Sequence, residues 1–357
     1  MNSQKLWSKD FIILMCTSFF VSLTFYLLVT TMAAYAIAEF QASESSAGLA
    51  SSIFVLAAVF SRLLSGKYMD VIGRRKVLLA SLMVFLLAAI LYLPIQNLYL
   101  LLAVRFLHGA AFGSATTVMM TAAMSLIPDS RRGEGTGYFS LSSTFSTALG
   151  PFLGAYLSQQ AAGYTTVFLV CCGFAALAML ITLFARIPEI SLSVEQRRKI
   201  MNGFRLKDFF ENNALPISLV MILMGASFSS IISFLNMYAA QIQMMEAASY
   251  FFLVYAIFLF ISRLFSGRIL DVKGDNIVFY PSLISFAISL LLLSLAAHNF
   301  TFLLAGALAA LGFGTMMSAG QAIAIKLTPK HRYGLATSTF FVCLDSGVGL
   351  GPFFLGY

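Results

Sequence analysis

What this chain can fold into is constrained first by eleven apolar stretches, each about as long as a helix that crosses a bilayer. A hydrocarbon core of roughly 30 Å needs roughly 20 apolar residues in a helix. The stretches cover 11–38, 47–66, 77–95, 98–126, 138–158, 166–185, 214–240, 248–267, 277–297, 299–326 and 337 to the end. In lipid no water pairs with a free amide or carbonyl, so a spanning segment must satisfy its own backbone. Runs of this length do so as helices, and the expected fold class is an all-α membrane protein. Only 10% of the residues are charged, against about 25% in soluble domains. The first stretch follows Lys5 and Lys9 and ends near Ala36-Ile37-Ala38, which resembles a signal-peptide cleavage site. It is longer than the roughly 7–15 residues of a signal h-region, so it reads as a spanning helix.

Charge orients the bundle. The formal net charge is +8, and its carriers fall on alternate connections: Lys67, Arg74, Arg75, Lys76, Arg131, Arg132, Arg268, Lys273, Lys330, Arg332 and the segment 186–211. The other connections, 39–46, 96–97, 159–165, 241–247 and the residues around 298, hold no Lys or Arg. This asymmetry follows the positive-inside rule. It predicts a multi-pass protein of the plasma (inner) membrane, with the N-terminus and 186–211 in the cytoplasm. The basic balance is topological, so the partner is the lipid bilayer and nucleic acid is not expected.

Enzymatic chemistry finds no support. Cys16, Cys171, Cys172 and Cys343 lie in apolar stretches without metal-type spacing or a disulfide pattern, and read as small buried hydrophobes. Gly66-Lys67 is followed by Tyr68, so no phosphate-binding loop is completed. No catalytic triad, paired catalytic carboxylates or metal cluster is apparent. An enzyme, an ATP-driven pump, a cofactor and a metal are all unexpected; a proton gradient is the expected energy source.

The chain is also written twice. Residues 61–81 match 262–282 at ten positions under a constant offset of 201: Ser61, Arg62, Leu63, Ser65, Gly66, Asp70, Val71, Gly73, Val77 and Ser81. Without a gap the offset goes on to pair Phe112-Gly113 with Phe313-Gly314, Pro128 with Pro329, Arg131 with Arg332 and Gly150-Pro151 with Gly351-Pro352. Shared hydrophobicity would not align Gly, Pro, Asp and Arg at one offset. Two six-helix halves are therefore expected, 1–185 and 212–357, joined by a cytoplasmic linker at 186–211. Tyr357 is the image of Tyr156, after which the first half finishes one helix and adds another. The second half thus reads as incomplete, and twelve helices are expected in all.

The sequence "GKYMDVIGRRK" at 66–76 resembles the most specific motif of the major facilitator superfamily, and the resemblance covers essentially the whole chain. Gly66 and Gly73 permit a tight turn and close helix approach, and Asp70 suits loop amides or the positive end of a neighbouring helix. The resemblance implies a latch between the halves made by Gly66, Asp70, Gly73, Arg74 and Arg75. In it, Asp70 would face the start of the eleventh helix and Arg74 or Arg75 would pair with Asp129. The second copy, with Asp271, has Asp275-Asn276 in place of the arginines and is expected to latch more weakly. "LLAVRFLHGAAFG" at 101–113 resembles the family's fourth helix. It places Arg105 and His108 inside the membrane on nearly one face, where ionisable groups default to function; a structural role, with Arg105 bonded to helix carbonyls, stands beside that reading. Gly150, Pro151 and Gly154 resemble an antiporter motif of the fifth helix, with Ser146 replacing its first Gly, and Gly347, Gly351 and Pro352 repeat it. Small residues four apart are also ordinary close packing.

Asp345 lies near the middle of the last stretch, and its image is Thr144. A buried carboxylate can carry protons; pairing with a base such as Arg62 is the alternative. Arg62 and Arg263, images of one another, suit inner-gate pairing or snorkelling better than substrate contact. The resemblance places the cavity among helices 1, 4, 7 and 10, making Tyr26, Thr31, Tyr35, Asn236, Tyr238 and Gln321 candidate wall residues. The function these readings converge on is secondary active transport by alternating access: a monomeric, proton-coupled antiporter exporting a small amphiphilic molecule. A proton symporter importing a sugar, organic acid or peptide is the alternative. A sensor or scaffold that does not transport is disfavoured by the intact loop motif and the intramembrane charges.

Overall fold

The computed structural model describes residues 6–355, so Lys5 and Tyr357 lie outside the described residues. The first half holds α1 (Lys9–Phe40), α2 (Glu44–Ile72), α3 (Arg74–Leu91), α4 (Leu98–Leu126), α5 (Arg132–Ser158) and α6 (Tyr164–Leu183). A short polar helix, α7 (Val194–Asn202), lies in the linker. The second half holds α8 (Leu215–Gln241), α9 (Met245–Lys273), α10 (Asn276–Ser294), α11 (Asn299–Lys326) and α12 (Tyr333–Leu355). Among the described residues nine helices are long and apolar enough to cross a bilayer, namely all but α3, α5 and α7. Length alone does not make α3 and α5 as apolar: α3 opens on Arg74-Arg75-Lys76, and α5 opens on Arg132 and Glu134 and is rich in Ser, Thr and Gly.

Local chemistry sets the ends. Ser8, Ser43 and Asn97 cap α1, α2 and α4 with their side-chain oxygens, satisfying amides that have no partner within the helix. Gly73 (φ 108°) and Gly274 (φ 90°), images under the offset, turn α2 into α3 and α9 into α10. Hydroxyls inside the spans bond back to their own helix, as Thr121 does to the Thr117 carbonyl at 2.8 Å and Ser218 to that of Ala214 at 2.6 Å. A π turn, Ala310–Gly314, interrupts α11.

Within the halves α1 packs on α5 and α6, α2 on α4, α8 on α12 and α9 on α11. The halves meet along α2 with α12 and α5 with α9. Each crossing depends on missing side chains. A Cβ on Gly66 would lie 2.2 Å from Ser338 Cβ and 2.9 Å from the Gly334 carbonyl; one on Gly267 would lie 2.3 Å from the Gly133 carbonyl. Gly267 is the image of Gly66 and Gly334 that of Gly133, so one backbone contact is built twice.

The antiporter-like motif packs inside a half rather than across the halves. Gly150 and Gly154 sit on Tyr26, Leu27, Thr30 and Thr31 of α1, and Gly347 and Gly351 sit on Ile222, Ala226 and Ser229 of α8. Pro151 and Pro352 lie within α5 and α12.

Candidate functional site

The face that carries the linker and the Lys and Arg loops is here called the basic face. There the two copies of the loop motif behave differently. Asp271, at the end of α9, accepts the amides of Gly133 (2.7 Å) and Glu134 (2.9 Å) at the start of α5, so the second copy joins the halves. Asp70 instead takes Arg74 Nε at 2.5 Å within its own half, both side chains being almost fully buried. Arg74 also donates to Ser125 Oγ at 2.7 Å, and Glu189 of the linker caps α3 by accepting the Arg74 and Arg75 amides, each at 2.9 Å. The expected approach of Asp70 to the last helix and the expected pairing of Arg74 or Arg75 with Asp129 are therefore corrected. Asp129 pairs with Arg132 of its own half and with Lys330 of the other at 3.5 Å. The expectation of a weaker second latch is corrected too, since Asp271 is the aspartate that crosses.

The linker closes over this seal. Lys67 Nζ donates to the Gly203 carbonyl and lies over the rings of Phe209 (4.1 Å), Tyr68 (5.1 Å) and Phe204 (5.8 Å). On the other half Glu211 pairs with Arg332 at 2.5 Å, and its amide donates to Thr339 Oγ1 at 2.8 Å. The linker thus holds a cation of α2 and a cation beside α12.

Beyond the seal lies a cavity of about 180 Å³ between the halves. Its charged wall residues are Arg62 and Asp345, joined by a 3.0 Å ion pair across the α2–α12 crossing. Arg62 also donates to Thr116 Oγ1 (2.9 Å) and lies over the Phe341 ring at 4.8 Å. Its carbonyl accepts from Ser338 Oγ at 2.8 Å. The remaining wall combines aromatic rings, among them Phe25, Tyr26 and Phe112, with hydroxyls such as Ser22, Ser140 and Ser143. Gln321 lines it with Nε2 unbonded among the described residues. Much of the wall consists of image pairs under the offset: Thr116 with Met317, Met120 with Gln321, Ser140 with Phe341 and Ser143 with Leu344.

Of the wall residues expected from sequence, Tyr26 and Gln321 line this cavity. Thr31 is buried with its hydroxyl on the Leu27 carbonyl at 3.0 Å, and Tyr35 packs on Phe40, Tyr164 and Phe168. Asn236 is exposed, and Tyr238 donates to the Leu293 carbonyl of α10 at 2.9 Å. The wall draws on α1, α2, α4, α5, α11 and α12, with no residue from α8, the seventh span, which corrects the expected set of helices. Arg105 and His108 lie off the cavity, inside the first half. Arg105 Nε donates to the Ala50 carbonyl at 2.8 Å and its guanidinium lies 4.5 Å from the Phe54 ring. His108 Nδ1 meets the Tyr92 hydroxyl at 3.1 Å, among Phe54 and Phe85. Sequence reasoning paired Arg62 with Asp345 but assigned Arg62 to a gate. The signal for its place on the wall is its position one turn before Gly66, where α2 and α12 touch.

Two pseudosymmetric helical halves around a central cavity, sealed on one face by paired glycine crossings, are the architecture of a membrane transporter. The chain belongs to the Major Facilitator Superfamily, whose sequence profile matches residues 14–352. It is 23% identical to an uncharacterized MFS-type transporter of Methanocaldococcus jannaschii, over 98% of this chain and 91% of that one. A shorter match, 35% identical, covers 37% of this chain and 34% of the multidrug resistance protein MdtG of Dickeya zeae. A bacterial homologue of the iron transporter ferroportin, solved in its outward-facing state, shares the fold with a TM-score of 0.79 at 12% identity, over 98% of this chain and 93% of that one.

Proposed function

We propose that this chain couples proton movement to the transport of a small amphiphilic solute by alternating access, with Asp345 as the proton-carrying group. One observation carries the reading: the only carboxylate on the described cavity wall is held by an arginine of the opposite half. A proton on Asp345 breaks an ion pair that spans the halves, so protonation, cavity chemistry and the closed basic face are linked at one place. Ion pairs inside a membrane are costly unless both partners stay engaged, which makes the pair a sensitive switch. By the loop charges, the basic face is read as cytoplasmic in the plasma (inner) membrane, which makes the closed state outward-facing.

Two directions of coupling follow, each with its own support. Export by exchange is favoured by the Gly150-Pro151-Gly154 motif and by the partial likeness to a multidrug resistance protein. Movement of solute together with the proton is favoured by Arg62, which becomes available to an acidic solute only when Asp345 is protonated. The test is transport into proteoliposomes with an internal pH indicator. An imposed pH gradient drives solute flux in the wild type, and Asp345→Asn abolishes that drive while solute exchange at equal pH persists. Full gradient-driven accumulation by Asp345→Asn would remove Asp345 from the proton path.

A further inference from the structure

Arg62 and Arg263 occupy the same place in the two halves, 201 residues apart, and are 5% and 2% exposed. Their surroundings differ in the acceptors they offer: Arg62 reaches Thr116, whose image is Met317. Arg62 faces Asp345, whereas the offset puts Thr144 where the matching carboxylate would stand, and Thr144 donates its hydroxyl to the Ser140 carbonyl at 3.1 Å. Nε and Nη1 of Arg263 consequently have no hydrogen-bond acceptor among the described residues. Its polar neighbour is Tyr255 of the same helix, which in turn lies near Tyr26 on the cavity wall. The groups around Asp345 are Arg62 from α2 and Tyr26 from α1; Thr116 of α4, Ser143 of α5 and Gln321 of α11 add polar atoms but no charge.

The matching positions of α2 and α9 thus carry two buried guanidinium groups, of which Arg62 lines the cavity and faces its one carboxylate while Arg263, off the wall, faces none. A buried cation without a partner is costly in an apolar interior, and a solute that brings an anionic group relieves that cost. A cationic solute would add like charge to a region already positive. We infer that the solute is a small amphipathic organic anion: its acidic group takes Arg62, freed when Asp345 is protonated, in the field of the unpaired Arg263, and its apolar part lies on Phe25, Phe112 and Phe341. The inference rests on the reading of Asp345 as the proton site. It selects between the two directions, because proton and anion occupy the cavity together and so move the same way.

The experiment is calorimetric titration of the purified protein with three probes of one shape: 4-phenylbutyrate, its neutral amide and the corresponding amine. At about pH 6 the carboxylate is expected to bind at least about tenfold more tightly than the amide, the size of one charge-assisted hydrogen bond. The affinity is expected to fall as the pH is raised, and Asp345→Asn to remove that dependence. Arg263→Gln weakens carboxylate binding about tenfold, while Arg263→Lys, which retains the charge and controls for folding, largely preserves it. A carboxylate bound no better than the amide, or an amine bound best, overturns the anion assignment and leaves proton coupling to be judged by the liposome measurement. A carboxylate preference that does not change with pH overturns the link to Asp345, and with it the proposed function.

Discussion

Asp271 crosses between the halves and Asp70 does not, although their loops are copies. The difference lies four residues downstream. Arg74 stands at i+4 from Asp70 and captures it, while the image of Arg74 is Asp275, which leaves Asp271 free to accept the amides of α5. A carboxylate on two amides at a helix start makes charge-assisted bonds of about 1.5–3 kcal/mol each and faces the positive end of the helix dipole. Asp271→Asn leaves one acceptor oxygen, and the closed basic face is expected to lose about 1–2 kcal/mol, roughly a tenfold shift toward its open form. Spin labels on Lys76→Cys and Lys273→Cys, exposed positions of opposite halves, would report it as a longer-distance population; an unchanged distribution would rule out the Asp271 bridge as a latch. Here the sequence was legible only in part. The motif and its repeat pointed to a latch, but which aspartate crosses depends on a local competition for charge that spacing alone does not reveal. The Arg62–Asp345 pair was legible, since an intramembrane acid with no image in the other half needs a partner from a neighbouring helix.

At the scale of elements, the linker is more than a tether. It caps α3 through Glu189, encloses Lys67 with Gly203, Phe204 and Phe209, and holds Arg332 through Glu211. A cation over aromatic rings contributes about 0.5–2 kcal/mol, more when shielded from water. Lys67→Met keeps the aliphatic stem and removes the charge, and it is expected to raise hydrogen exchange across 203–209 by about tenfold while the exchange of α2 stays unchanged. Equal protection in mutant and wild type would mean that the linker holds by Glu189 and Glu211 alone. Helix positions were the most legible part of the sequence, because bilayer thickness and backbone pairing together fix both length and type. The linker's docking was not legible: its residues are polar and short of pattern, and their partners are distant in sequence. The antiporter-like motif shows a related limit. Small residues four apart announce close packing without saying against what, and here the partner is α1 rather than the opposite half.

For the whole molecule, the two glycine crossings act as a single seal made of equal parts. A side chain at either one must push backbone away from backbone, because Gly66 faces Gly334 and Ser338 as Gly267 faces Gly133. Gly66→Leu and Gly267→Leu are each expected to open the basic face, lengthening the same label distance, and to leave the double mutant with no closed population. If either single mutant kept the closed distance, the crossings would not be what holds the halves together there. The offset of 201 makes this symmetry readable from the residues alone, whereas the composition of the cavity wall is not, because an offset gives positions and not the directions in which side chains point. The wall itself keeps the positions and divides the chemistry: Ser140 and Ser143 on one side answer Phe341 and Leu344 on the other. A duplicated gene that encloses its cargo on the seam between its copies starts with two identical walls. It leaves that identity one position at a time, with a polar side chain matched by an apolar one at Ser140 and Phe341 and the reverse at Met120 and Gln321, so that whatever enters no longer meets the same surface from its two sides.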